Sequence, residues 1–108
     1  MFNLDPAPTF DAVVLIPVPG AAPAPLRLRF RHMGRKAVQA WVADAKDRDD
    51  AQFLLRVVVN WEGVQDAVGD DVPFTHAAFA QLLDAYASSG REIFDAYVRE
   101  LAQGRAKN

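Results

Sequence analysis

Two histidines, His32 and His76, and two acidic doublets, Asp49-Asp50 and Asp70-Asp71, are the residues of this chain best suited to acid–base or metal chemistry. Neither histidine stands in a His-x-x-x-His or His–Glu spacing that would set two ligands on one helix face. Residues 66–71 lack the alternating oxygen ligands and closing glutamate of a calcium loop. Capping and solubility account for both doublets, because carboxylates favour helix N-termini. Ser88 and Ser89 have neither a nucleophile elbow nor a base at a recognisable spacing. No glycine-rich phosphate loop and no repeat is present, and the absence of cysteine excludes disulfides and thiolate metal sites. These residues predict no enzymatic activity, no cofactor and no metal.

A different chemistry is offered by Arg27, Arg29 and Arg31, which alternate with Leu26, Leu28 and Phe30. Period two puts the arginines on one face of a strand and the apolar residues on the other. Such a row reads either as a solvated face that resists edge aggregation or as a dock for an acidic partner. His32, Arg35 and Lys36 extend the basic cluster, while acidic residues gather at 44–50 and 66–71. The net charge of −2 argues against indiscriminate nucleic-acid binding. One candidate function is therefore a small regulatory or adaptor protein that reads an acidic protein or nucleic acid through Arg27, Arg29, Arg31, Arg35 and Lys36.

At 108 residues, 51% of them hydrophobic, the chain suits one domain with a packed core. Its apolar runs fall short of the ~20 residues that a membrane-spanning helix needs. Residues 1–10 hold Asp5, Pro6 and Pro8 and no basic n-region, so they do not read as a secretory signal. Cytoplasmic residence is expected by elimination, with residues 1–9 and 104–108 as flexible ends.

The elements that must position these side chains follow from periodicity. Residues 10–16 are β-branched and aromatic and stop at Pro17, which predicts a strand. Four prolines in 17–25 predict a loop, and 26–31 make the second strand of a hairpin. After Gly34 the apolar period becomes helical, predicting a short helix over 34–46. Asp49 is placed to cap a central buried helix running through Phe53, Leu54, Val57, Val58 and Trp61, although Val57, Val58 and Val59 also favour extended chain. Thr75 caps the next helix, with Phe74 and Phe79 at the positions of a hydrophobic staple. Ser89 and Glu92 fit a second capping box before the stripe Ile93, Phe94, Tyr97, Val98 and Leu101. The expected fold is α+β: an N-terminal β-hairpin followed by a bundle of about four helices.

Trp61-Glu62-Gly63-Val64, the acidic loop that follows it, and Val72-Pro73-Phe74-Thr75 carry further information in combination. Placed after the basic strand 26–31 and before a closing helix pair, they make the chain resemble the tail assembly chaperones of long-tailed bacteriophages over roughly residues 10–100. The resemblance implies binding of the tape-measure protein and recruitment of tail-tube subunits during tail morphogenesis, in the cytoplasm of the bacterial host and outside the mature virion. It also implies that a longer product can arise from the same start by ribosomal frameshifting. Stoichiometric masking of apolar surface would be the mechanism. Trp61 is expected either as a core ring bonded to a loop carbonyl or as an interface anchor. Phe94, Tyr97 and Leu101 are expected to serve internal packing and a client helix. With Arg27, Arg29 and Arg31 they form the candidate partner-binding set, and surplus apolar helix surface predicts self-association as well.

Overall fold

Alternation of apolar and charged residues builds the first half of the molecule. The computed structural model describes residues 1–47 and 49–104. Strands β1 (Thr9–Ile16) and β2 (Ala24–Arg31) pair antiparallel, in a register that sets Phe10 opposite Phe30, Ala12 opposite Leu28 and Val14 opposite Leu26. All six face inward: Phe10 is half-buried and the other five are buried. The second strand was legible from period two and the first from its β-branched and aromatic residues ending at Pro17.

Helix α1 (Arg35–Ala43) follows, then a 3₁₀ turn (Ala45–Asp47) and α2 (Asp50–Leu54). The Asp49 carboxylate accepts the Gln52 amide at 2.7 Å, as its capping position requires. The central helix expected to reach Trp61 ends instead at Leu54, and Val58–Glu62 form a third strand, β3, antiparallel to β2. Two physical causes act together. Consecutive valines lose rotamer freedom in a helix, and β2 presents an open row of backbone groups that a strand can satisfy. The Arg31 amide donates to the Val57 carbonyl at 2.7 Å, and a bulge beside Arg29 and Phe30 lets Val58 and Trp61 both face inward. The sheet order is β1-β2-β3.

Residues 64–72 turn back on themselves. The Asp66 carboxylate accepts the Val68 and Asp70 amides at 3.0 Å each, and Gly69 takes φ +90°. Asp66 thereby builds the turn, as short polar side chains do. Helix α3 (His76–Ala85) starts at Thr75, whose hydroxyl accepts the Ala78 amide at 3.0 Å, and Phe74 meets Phe79 with ring centroids 5.8 Å apart. Cap and staple both form as the sequence requires.

Helix α4 (Ser89–Gln103) lies over β1 and touches α2 and α3. Its cap is Ser88, without a side-chain bond, so the box expected at Ser89 does not form. The buried Ser89 hydroxyl donates to the Tyr86 carbonyl at 2.7 Å, tying off the preceding turn. Gly90 sits where an added Cβ would come within 3.0 Å of the Asp50 carboxylate, so the first turn of α4 packs directly on the start of α2. Gly104 closes the helix in the left-handed conformation. Of the tail expected at 104–108, residues 105–108 lie outside the described residues.

Candidate functional site

Three surfaces hold the residues singled out by the sequence. On the outer face of the sheet, Arg29 lies directly across from Asp11 and Arg27 directly across from Glu62. Cross-strand neighbours of opposite charge pair readily. Arg29 Nε donates to Asp11 Oδ1 at 2.9 Å, and Arg27 Nε lies 3.5 Å from Glu62 Oε1. That hydrogen bond, reinforced by the charges of Arg29 and Arg27, holds the Asp11 carboxyl below its ordinary value. Arg31 Nε donates to the Arg56 carbonyl at 3.3 Å. The arginine row is thus largely answered by groups of its own chain, which weakens it as a dock for acidic partners.

Trp61 and Tyr97 are interior residues. Trp61 packs edge-on against Phe74, and its indole N–H donates to the Val72 carbonyl at 2.8 Å, pinning the end of the acidic loop. Tyr97 is fully buried, stacks on Phe10 and donates its hydroxyl to the Arg31 carbonyl at 2.7 Å. Burial pushes the phenol up to about 12, against smaller opposing effects of the Met33 amide and the Arg31 charge. Neither ring has a face to give a partner without unfolding its surroundings.

The helices provide the third surface. Trp41 is buried, stacks on Phe53 at 4.2 Å, meets Phe94 and Tyr97, and donates its indole N–H to the Phe53 carbonyl at 2.8 Å. This one side chain fastens α1 to both α2 and α4. Residues of α1 and α4 also line an open groove of about 430 Å³, formed by Met33, Val38, Val98, Leu101 and Ala102 together with His32, Gly34, Arg35 and Gln39. Val98 is 37% exposed, and Val42, one turn from Val38, is 43% exposed. Phe53, Leu54 and Phe94 line a second groove of about 410 Å³ together with Asp50, Arg91 and Asp95.

The structure therefore brings Leu101 to an apolar groove and Phe94 to a second groove of mixed lining along α4, sets the arginines on the outer sheet face, and encloses Trp61 and Tyr97. Met33, Val38, Val98 and Ala102 were not in the candidate set. Their signal was present in the three- and four-residue spacing of Val98, Leu101 and Ala102, but spacing does not say which part of a stripe a neighbour covers.

His76 is exposed and His32 half-buried. Among the described residues no three His, Asp or Glu side chains stand close enough to share a metal ion, and no helix is long and apolar enough to cross a membrane. What the surface offers is apolar contact area between helices. No curated protein and no solved structure matches the chain. A family model, however, matches residues 1–108, the full length given, and its description is phage tail assembly chaperone. That full-length match assigns the chain to the phage tail assembly chaperone family, with a role in tail assembly exercised on protein partners.

Proposed function

We propose that this chaperone holds an amphipathic helical segment of the tape-measure protein in the groove between α1 and α4, and that the complex helps recruit tail-tube subunits. The observation that carries the reading is the groove itself. Met33, Val38, Val98 and Leu101 form an apolar channel that the chain does not fill. A helix presenting residues at i, i+3, i+4 and i+7 is the natural occupant of such a channel. Binding would be stoichiometric and driven by apolar burial, without nucleotide, metal or covalent chemistry. It would act in the host cytoplasm before the virion is complete, and the chaperone would leave with the client's final folding. Without a client, the same surface supports self-association.

Co-expression with a tape-measure protein, followed by capture through a tag on the chaperone, tests this directly. A retained complex that survives moderate salt and is lost in Val98→Glu and Leu101→Glu is the expected result. A complex that dissolves with salt and with neutralisation of Arg27, Arg29 and Arg31 would favour the adaptor reading instead. That reading has less support, since Asp11 and Glu62 already engage two of the three arginines.

A further inference from the structure

The largest apolar side chains left in water do not lie on the helices. They belong to the N-terminal arm, where Phe2 is 92% and Leu4 87% exposed and Met1 is bare. The arm is tethered at the rim of the α1–α4 groove. The β1–β2 pairing is carried one step beyond Thr9 and Arg31 by the His32 amide, which donates to the Pro8 carbonyl at 2.9 Å. His32 and Met33 both line the groove.

We propose that residues 1–5 are the groove's resident occupant: Phe2 and Leu4 fold between α1 and α4, Asp5 settles at the start of α1, and the whole latch is displaced when a client arrives. The structure holds the open state of this device. Reach is sufficient. Pro8 is hydrogen-bonded to His32, which itself lines the groove, and at ~3.3 Å per extended residue Leu4 can travel ~13 Å from Pro8 and Phe2 ~20 Å.

Chemistry matches at both ends. Helix α1 has no acidic residue in its first turn, its Gly34 cap offers no side chain, and Arg35 and Lys36 add positive charge there. Asp5 brings the carboxylate that this end lacks. Pro6 and Pro8 carry no amide hydrogen, so the arm does not simply prolong the sheet, and their fixed φ leaves it fewer states to lose on docking. Burying two apolar side chains is of the same order as the entropy lost by ordering five residues. The latch is accordingly weak and replaceable, as a competitor of a client must be.

Docking stands on the geometry alone; only the competition rests on the chaperone reading. Because the chain has no cysteine, paired substitutions report proximity cleanly. In the full chain, Leu4→Cys with Val98→Cys should form an intramolecular disulfide about tenfold faster than Leu4→Cys with Asn60→Cys, whose partner lies on the outer sheet face, since docking raises the effective concentration of one pair only. Adding Asp5→Lys should slow the first pair several-fold. Equal rates, or disulfides formed only between chains, would overturn docking in cis. Methyl resonances of Val98 and Leu101 that do not move between the wild-type chain and Phe2→Ser/Leu4→Ser would overturn it as well. The same double variant should bind a tape-measure fragment several-fold more tightly. Unchanged affinity overturns the competition, and a fragment that binds neither protein counts against the chaperone reading while the disulfide rates still judge the latch.

Discussion

Tyr97 joins three parts of the molecule at one side chain: it belongs to α4, stacks on Phe10 of β1 and bonds the last carbonyl of β2. Its phenol is raised from an ordinary 10.0 to about 12, chiefly by burial. The sign of the consequence follows from proton counts. Between those values the unfolded chain releases its phenolic proton while the folded chain keeps it, so stability falls as pH rises. Tyr97→Phe is expected to flatten the alkaline limb of a denaturant-midpoint profile between pH 10 and 12, and to cost roughly 1 kcal/mol at neutral pH through the orphaned Arg31 carbonyl. Asp11 behaves oppositely. Its lowered value adds stability above the ordinary carboxylate range that is lost on acidification, and because the pair is exposed, 1 M salt should erase the difference between wild type and Asp11→Asn. Trp61 and Tyr97 were legible as large buried or interfacial rings, but their type alone could not choose between core and interface, since both environments favour amphipathic aromatics.

Element by element, local signals held wherever a side chain answers its own backbone. Asp49 and Thr75 cap as their spacing requires, and Thr75→Ala is expected to lower unfolding free energy by about 1 kcal/mol with no change in the fold, measured by urea titration. Ser88 replaced Ser89 as the cap of α4 because the Ser89 hydroxyl found the Tyr86 carbonyl, a choice made by the incoming turn. The segment 55–62 shows the sharper limit. Its apolar residues satisfy a helical stripe and a strand equally well, and the free edge of β2 decided between them. Val58→Ala should therefore behave as a core-strand deletion, costing about 2 kcal/mol in the same titration.

At the scale of the whole molecule, stability and the proposed partner surface are separated. The sheet's inner face, Trp41 and Tyr97 make the core, while Val38, Val98 and Leu101 line the groove between α1 and α4. Val98→Glu should leave the thermal midpoint within a few degrees of wild type and abolish capture of a tape-measure protein, a pairing that a core residue could not give. Arg29→Ala should leave both the thermal midpoint and the capture close to wild type, because the residue lies on the outer sheet face and its exposed pair with Asp11 is worth little.

By itself the chain determined what depends on neighbours within a few positions: the hairpin, two of the helix caps, and a run of motifs that together point to its family. Tertiary structure decided what depends on residues far apart. Only there does β2 recruit 58–62 as its neighbour, Asp11 and Glu62 find the arginines, and Trp41 fasten α1 to α4 while the groove lined by both helices stays open. The reason is that periodicity records which side of an element is apolar, whereas which part of that side stays uncovered is fixed by how far the facing element extends.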